Sequence, residues 1–483
     1  VADGQLTVAI IGGGASGTLV ASELLRRAAA EHLPVHIWLI DEHARHGAGQ
    51  AYSTDNEMHL LNAPAGKMSA RTDEPLHLVD WARHGGAGPA EVSPATFLAR
   101  RVYRRYLRDS LAASLRAAAA SSTLTPLTAA VTAIRPRPSG AWIAAAGRWL
   151  DADAAVLATG HPPPELPFEA PAVRAVIADP WRPGGLARLE EVPAGSGTRT
   201  FVVAGTGLTM VDVALAVTSQ FPGSVVHAVS RHGLLPRVHP GDVRPQPSLL
   251  WLPPACRKQG PVSLIELAGQ IRAAVAASPE DWHAVLESMR PHVPSLWQRM
   301  PERDRRVFLA RLARYWEVHR HLMPPATARR VAELRQAGKL VIHRGRIRSA
   351  EAGRAKLSVL VETDAGARQL SAHWLINATG GGAGDITTAP SPLLRQLLGS
   401  GLARPDALRL GIEADPQGAV LSASGQSSEF LFALGPPLRG SRYETTAIPE
   451  IRAQAAEIAA RIAARFAAER EHGHVRSMLP ARM

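Results

Sequence analysis

The 483-residue chain contains one cysteine, Cys256. This excludes an intramolecular disulfide, a Cys-x-x-Cys redox pair and a cysteine-ligated iron–sulfur cluster. Lysine is scarce as well: it stands only at 67, 258, 339 and 356, so arginine supplies 50 of the 54 basic residues. No apolar run approaches the roughly 18–20 residues that cross a bilayer. The stretch Leu6–Ile11 is too short and too glycine-bounded for a signal peptide. There are 19 histidines but no His-Glu-x-x-His pair. His319 and His321, two apart on a predicted helix, point to different faces, so no metal site is expected. The arginines are dispersed, without zinc-finger or basic-zipper spacing, which argues against nucleic acid. The chain reads as cytoplasmic, with no membrane partner. Its net charge of +12 reflects either a GC-rich coding sequence or a surface that attracts anionic cofactors or carboxylate substrates.

What is present is more telling. Two glycine-rich turns, Gly12-Gly-Gly-Ala-Ser-Gly17 and Gly205-Thr-Gly-Leu-Thr-Met210, each follow a short aliphatic run and open an apolar-periodic helix. In Gly12-x-Gly14-x-x-Gly17 the first glycine permits a tight turn. The second admits a pyrophosphate, and the third lets helix pack on strand. The phosphates then sit at the helix N-terminus, where Ser16 adds a hydroxyl. Asp41 ends the next predicted strand, 24 residues after Gly17, and is placed to hold ribose hydroxyls, with Glu42 as the fallback. Ala158-Thr159-Gly160 and Ala378-Thr-Gly380 follow apolar runs and mark strand-end turns where a chain leaves and re-enters a flavin domain.

The second turn carries Gly205, Thr206, Gly207 and Thr209 as candidate nucleotide contacts, but Met210 replaces the third glycine. Arg231 follows the next strand where an NAD-selective protein often has an acid. Pairing with a 2′-phosphate favours NADPH, with NADH possible. The pair of turns predicts an α/β fold with two dinucleotide-binding (Rossmann-like) domains and a helical insertion. Its parts are a first segment of an FAD-binding domain (1–165), an NAD(P)-binding domain (166–245) and a mostly helical insertion (246–335). The second segment of the FAD-binding domain (336–470) and a tail (471–483) complete it.

Several segments resemble the YdhS-like bacterial FAD/NAD(P)-binding proteins. They are Gly47-Ala-Gly-Gln-Ala-Tyr52, His59-Leu-Leu-Asn-Ala-Pro-Ala-Gly66 with Met68-Ser69, Gly205–Asp212 and Ser230–Arg237. Trp316-Glu-Val-His-Arg320 and Glu444-Thr-Thr-Ala-Ile-Pro-Glu-Ile-Arg452 complete the set. Met210 is usual in that group. The resemblance implies an architecture similar to class B flavin monooxygenases and N-hydroxylating enzymes, some of which N-oxidise an amino acid such as aspartate.

The resulting expectation is an NADPH-dependent flavin monooxygenase acting with O₂ on a small amine or amino acid through a flavin C4a-(hydro)peroxide. A flavin reductase or dehydrogenase passing electrons to a small acceptor, and a non-catalytic nucleotide-binding protein, are the alternatives. Flavoprotein disulfide reductases need two thiols and are excluded. Asn62 is the first candidate near the flavin ring, or else a loop-capping asparagine. Lys67 meets a substrate carboxylate or is a solvated loop lysine. Trp316, His319 and Arg320 share a helical face and close a substrate pocket, with Arg320 binding a carboxylate; the alternative is a core tryptophan with polar neighbours. Thr445, Thr446 and Ala447, before the last helix, offer amides to the cofactor. Met68, Val131 and Gly435 complete the expected cofactor set.

Overall fold

The computed structural model describes residues 5–85, 91–190, 198–240, 253–381, 384–388 and 391–478. The expected start of the insertion, near residue 246, lies outside them, as do residues 479–483 of the tail. Strand β1 (Leu6–Ile11) runs through the first glycine turn into α1 (Ala15–Ala30) and β2 (Val35–Asp41). Helix α2 (Arg100–Ala117) leads to β3 (Thr123–Thr128). Three antiparallel strands, β4 (Val131–Arg137), β5 (Gly140–Ala145) and β6 (Arg148–Ala152), precede β7 (Ala154–Leu157). After β8 (Val176–Ile177) come β9 (Thr200–Ala204), α3 (Leu208–Gln220) and β10 (Val225–Ser230). The helical stretch includes α4 (Trp282–Met289), α5 (Ala313–Arg320) and α6 (Pro325–Gln336). Strands β11 (Leu340–Ala352), β12 (Leu357–Thr363), β13 (Gly366–Ala372), β14 (Trp374–Asn377), β15 (Ala419–Leu421) and β16 (Ser427–Ala433) lead to α7 (Ile448–Met478).

Two sheets organise these elements, in the orders β15-β16-β7-β1-β2-β3 and β13-β12-β11-β10-β9-β14-β8. Every residue of β1 is buried, as a central parallel strand covered on both faces requires. Leu6, Val8 and Ile10 face a core shared with α1, α2 and α7. Ala9 and Ile11, on the opposite side of the pleat, face the β4–β6 sheet and helix Pro392–Gly399. In α7 the buried positions Ile451, Ala455, Ile458, Ala459 and Ile462 recur at helical spacing and seal the first core. Strand β9 repeats the pattern. Phe201 and Val203 meet α3 and α6, while Val202 meets the β12–β13 hairpin folded across the far face.

This α/β architecture has two dinucleotide-binding domains and a helical insertion, but the second domain is larger than the sequence reading allowed. The expectation that residues 336–470 lie wholly in the first domain does not hold. Strands β11 to β14, within 340–377, belong instead to the second sheet. Leu340–Arg344 of β11 adds in parallel register beside Val226–Ser230 of β10, and α6 is the crossover helix, with Val331 and Leu334 in that core. The long insertion between β10 and α6 hid this βαβ connection from local pattern. The expected tail is likewise continued helix as far as Met478.

The two domains meet through a partly buried ion pair. Arg100 Nη2 lies 2.5 Å from Asp212 Oδ2 on α3, with side chains 16% and 8% exposed. His59 donates from Nε2 to the Asp212 carbonyl at 3.0 Å. Its Nδ1, 2.8 Å from the Thr54 hydroxyl, is then the acceptor, which fixes one neutral tautomer. Burial, ahead of nearby charges, lowers the His59 pKa. Asp212→Ala leaves Arg100 buried without its partner and is expected to cost about 3–5 kcal/mol in urea denaturation. A loss under ~0.5 kcal/mol would show that this contact does not hold the domains together.

Candidate functional site

The first glycine turn is closed from three sides. Gly12 adopts φ +108°, and a Cβ there would fall 2.3 Å from the Ala158 carbonyl oxygen at the end of β7. A Cβ on Gly17 would lie 1.9 Å from the Gly12 oxygen, so α1 starts against the turn itself. Gly14 caps α1 without a side-chain bond, leaving amides of the first turn free for an anion. The Gly47–Tyr52 segment lies beside it: Gly47 donates to the Gly13 carbonyl at 2.8 Å, and Gly14 and Gly49 are too close for a Cβ to fit without a shift. Ser16 is buried. Gly435 sits over it, 3.2 Å from Ser16 Oγ measured from a notional Cβ, and donates to Gln454, which in turn donates to Thr445 Oγ1. Thr446 and Ala447 immediately precede α7.

Asp41 ends β2, but its carboxylate already accepts three backbone N–H groups, from Gly13, His43 and Arg45. It therefore fixes the turn and keeps roughly one of four lone-pair positions for a ribose hydroxyl. Glu42 is exposed. Thr159 is exposed and Gly160 has φ +70° with open space about it. Met68 is buried in the helix-side core. Val131 is buried in the other core, close to where Ala129 donates to the Asp41 carbonyl.

The second turn has the same construction. Gly205, at φ +109°, would place a Cβ 2.4 Å from the Ala378 oxygen at the end of β14. The Ala378-Thr-Gly380 turn thus lies against the second glycine turn, not the first as the sequence reading expects. Gly207 caps α3 without a side-chain bond. Met210 is fully buried in the second core, so this helix stands far enough from the strand to admit a side chain. Thr209 is half-buried. Thr206 bonds Ser230 Oγ and the Leu234 carbonyl, holding the loop that carries the exposed Arg231. The two chain crossings run side by side, with Gly381 against the Pro162 carbonyl.

Between the insertion and the first domain lies a buried charge network. Trp316 Nε1 donates to Glu444 Oε1 at 2.7 Å, and Arg320 Nε lies 3.3 Å from Glu444 Oε2. Arg320 is 11% exposed, and its Nη2 is buried without a hydrogen-bond partner among the described residues. Burial works against the Glu444 charge, but Arg320, His321 and Trp316 hold its pKa below the usual range. His319 does not join them: its Nδ1 donates to the Tyr315 carbonyl and its ring packs edge-on against Trp282. Lys67 is paired with Glu287 at 2.8 Å and so is not a free carboxylate anchor. Arg290 links Glu287 to Glu450 of α7. Asn62 is exposed. Glu444, Glu287 and Arg290 were missed in the sequence because an isolated acid or arginine announces burial by no periodicity. Glu444 was visible only as the head of the segment before α7. His161, after the Ala158–Gly160 turn, has its pKa pushed down to about 4 by burial, then by Arg439 and His321.

Residues 9–162 match a family model described as FAD-NAD(P)-binding. The glycine cradles, which any Cβ would fill, and the uncapped start of α1 fit a dinucleotide pyrophosphate. One curated relative, the L-aspartate N-monooxygenase (nitrosuccinate-forming) of Streptomyces davaonensis, is 32% identical over 185 residues. That alignment takes 33% of this chain and 26% of the relative, so the chain spans about a quarter of the relative's length. Among solved structures, the ornithine N-hydroxylase of Kutzneria sp. 744 has TM-score 0.60 at 16% identity, over 95% of this chain and 99% of its own. The L-lysine 6-monooxygenase of Pseudomonas syringae has TM-score 0.60 at 15% identity, with 95% and 99% covered. These structures share the fold. No helix among the described residues is long and apolar enough to cross a membrane.

The charge network has a pH consequence. Burial raises the Glu287 pKa, but Lys67 and Arg290 outweigh it and bring it to about 2. Because this carboxylate is depressed in the folded state, its stabilisation is complete above pH ~4.5 and is lost as pH falls toward ~2. In denaturant titrations between pH 5 and 3, Glu287→Gln is expected to flatten the acid loss of stability. Parallel curves for the two proteins would rule out this contribution.

Proposed function

We propose that the chain is an FAD-dependent, NADPH-using monooxygenase that N-oxygenates a small amine or amino acid. The supporting observation is the placement of Arg320: a buried guanidinium with an unused donor, held by Glu444 directly ahead of the Thr445–Ala447 approach to α7. The aspartate-oxidising relative and the shared fold of the amine N-hydroxylases favour the same reading. Bound FAD, reduced by NADPH, supplies the activation of O₂. The balance is amine, O₂, NADPH and a proton giving hydroxylamine, water and NADP⁺.

The protein's own residues bind, orient and exclude water. Arg320 receives a substrate carboxylate on Nη2, at the angle that Glu444 and Trp316 fix. Glu444, kept ionised, cannot donate a proton to the site and so acts through Arg320. Lys67–Glu287 and Arg290–Glu450 close the insertion against the first domain. They tie down charges that would otherwise draw in water. The one cysteine lies in the insertion, which leaves no thiol pair for a disulfide reductase. A reductase acting on another acceptor is the competing reading.

The deciding measurement is the ratio of hydroxylamine formed to NADPH consumed by the purified yellow protein, with L-aspartate, L-ornithine and L-lysine among the amines screened. Formation of hydroxylamine with one of them is expected. Conversion of all consumed NADPH to hydrogen peroxide across the amine panel would favour the reductase. For the accepted amino acid, Arg320→Ala is expected to raise KM about 10–100-fold with flavin content unchanged. Unchanged kinetics would remove Arg320 from the site.

A further inference from the structure

Tyrosine is scarce in this chain, five in 483 residues, yet three of the five stack in the helix-side core of the first domain. Tyr103 and Tyr106 lie one turn apart on α2 and are fully buried. The Tyr52 ring lies 4.8 Å from Tyr103, and Tyr103 lies 5.6 Å from Tyr106, centre to centre. The file continues through Trp81, 5.4 Å from Tyr106, on the helix His77–Arg83. Each spacing falls within the contact range of aromatic pairs. At one end, Tyr52 closes the Gly47–Tyr52 segment, whose Gly49 lies against Gly14 of the first glycine turn. At the other, Trp81 is half-buried, and its Nε1–H donates to the exposed Asp109 at 3.2 Å. Four rings in series therefore run from the segment beside the first glycine turn to the protein surface.

The phenol hydroxyls are treated unequally. Tyr106 accepts from the Ala70 N–H at 2.9 Å, and its oxygen lies 2.8 Å from His77 Nδ1. Burial, ahead of nearby charges, lowers the His77 pKa, so the ring is neutral. With Nδ1 as acceptor, the Tyr106 proton is satisfied as well as its lone pair. The Tyr103 hydroxyl, by contrast, is buried without a hydrogen-bond partner among the described residues. A phenylalanine would fill the same space and avoid that unpaired hydroxyl. Packing alone gives no reason for a phenol at 103. An electron-rich ring in contact with two others does.

We propose that these four rings pass single electrons inward from the surface to a one-electron oxidant at the first glycine turn. The proposal rests on the reading that this turn holds FAD, and it adds a function that N-oxygenation does not use. The oxidant is an oxidised isoalloxazine excited by blue light, which takes one electron from the file at its Tyr52 end. The electron hole passes through Tyr103 to Tyr106. There the phenol radical cation, a strong acid, gives its proton to His77 Nδ1 along the existing hydrogen bond, leaving a neutral tyrosyl radical. Tyr103 has no proton acceptor and so relays the hole without holding it. An electron from Trp81 then restores Tyr106 as His77 returns the proton. A solvent reductant of the thiol or ascorbate class refills Trp81 beside the Asp109 carboxylate. The net change is one electron moved from the solvent reductant to the flavin.

The test uses the flavin-loaded protein, freed of unbound flavin, without NADPH. After a blue flash, transient absorbance is expected to show a tyrosyl radical that outlives the excited flavin. Tyr103→Phe and Tyr106→Phe, which keep the packing, should each abolish that signal while flavin content stays unchanged. His77→Gln should shorten the radical's lifetime, a readout that a merely packed aromatic core would not move. Under continuous blue light, a nitroso spin trap followed by peptide mass spectrometry is expected to mark Trp81 at the surface end. A tyrosyl signal that survives both Tyr→Phe substitutions would overturn the path, and so would bound flavin that gives no radical. Either result leaves the flavin reading standing. A protein that binds no flavin ends that reading and takes the proposal with it.

Discussion

The structure is organised by one close approach made twice. A glycine at the end of a central strand lies so near the carbonyl ending the adjoining strand that no side chain fits. Gly12 meets Ala158, and Gly205 meets Ala378. The backbone continues the match. Ala158 donates to Ile11 and Ala378 to Ala204, while Gly12 and Gly205 donate to Ile40 and Val229. Each turn is thus clamped between the strands on both sides, and the helix that follows starts at the sheet's C-terminal edge with its amides open. The chain leaves each domain right after the clamping alanine. The same contact therefore sets both the open helix N-termini and the routes between domains.

That contact explains what could be read from sequence. The turns, their strands and helices α1 and α3 are specified by local constraints: glycine where φ is positive, aliphatic runs buried on both faces, and an acid closing β2. Asp41 closes β2 as the spacing predicts, but its carboxylate is bound mainly by the turn itself. The extent of the second domain was not legible. Strand β11 joins β10 only after more than a hundred residues of chain, and no local periodicity records a pairing at that separation. Met210 was ambiguous for a related reason: whether a helix can stand off to admit a side chain depends on packing elsewhere.

The substrate side was legible only in fragments. Trp316 and Arg320 were grouped by helical spacing, and they do converge, but on a carboxylate that spacing does not reveal. His319, grouped with them, turns to its own backbone. Lys67 was singled out for rarity, yet rarity says nothing about pairing, and Glu287 claims it. In each case the deciding partner lies on another element: Glu444 before α7, Glu287 on α4, Glu450 on α7. Buried ions need such partners because desolvation is costly, and a partner's identity follows from the tertiary arrangement.

The excess of arginine can now be divided. Between the insertion and the first domain positive and negative groups are matched almost one for one, as Lys67 with Glu287, Arg290 with Glu450 and Arg320 with Glu444. A network balanced in this way keeps its ions in place and attracts no bulk counter-ion. What stays unused among the described residues is donor capacity on Arg320, whose Nε and Nη2 are buried without a hydrogen-bond partner. At the edge of the second sheet the matching fails: Arg231 and Arg346 face a cavity whose acids are taken by Arg344 and Arg348. Net positive charge is held there at the expense of mutual repulsion. The excess of arginine is thus spent unevenly: the network around Glu444 and Glu287 is matched, and the cavity at the second sheet's edge is not.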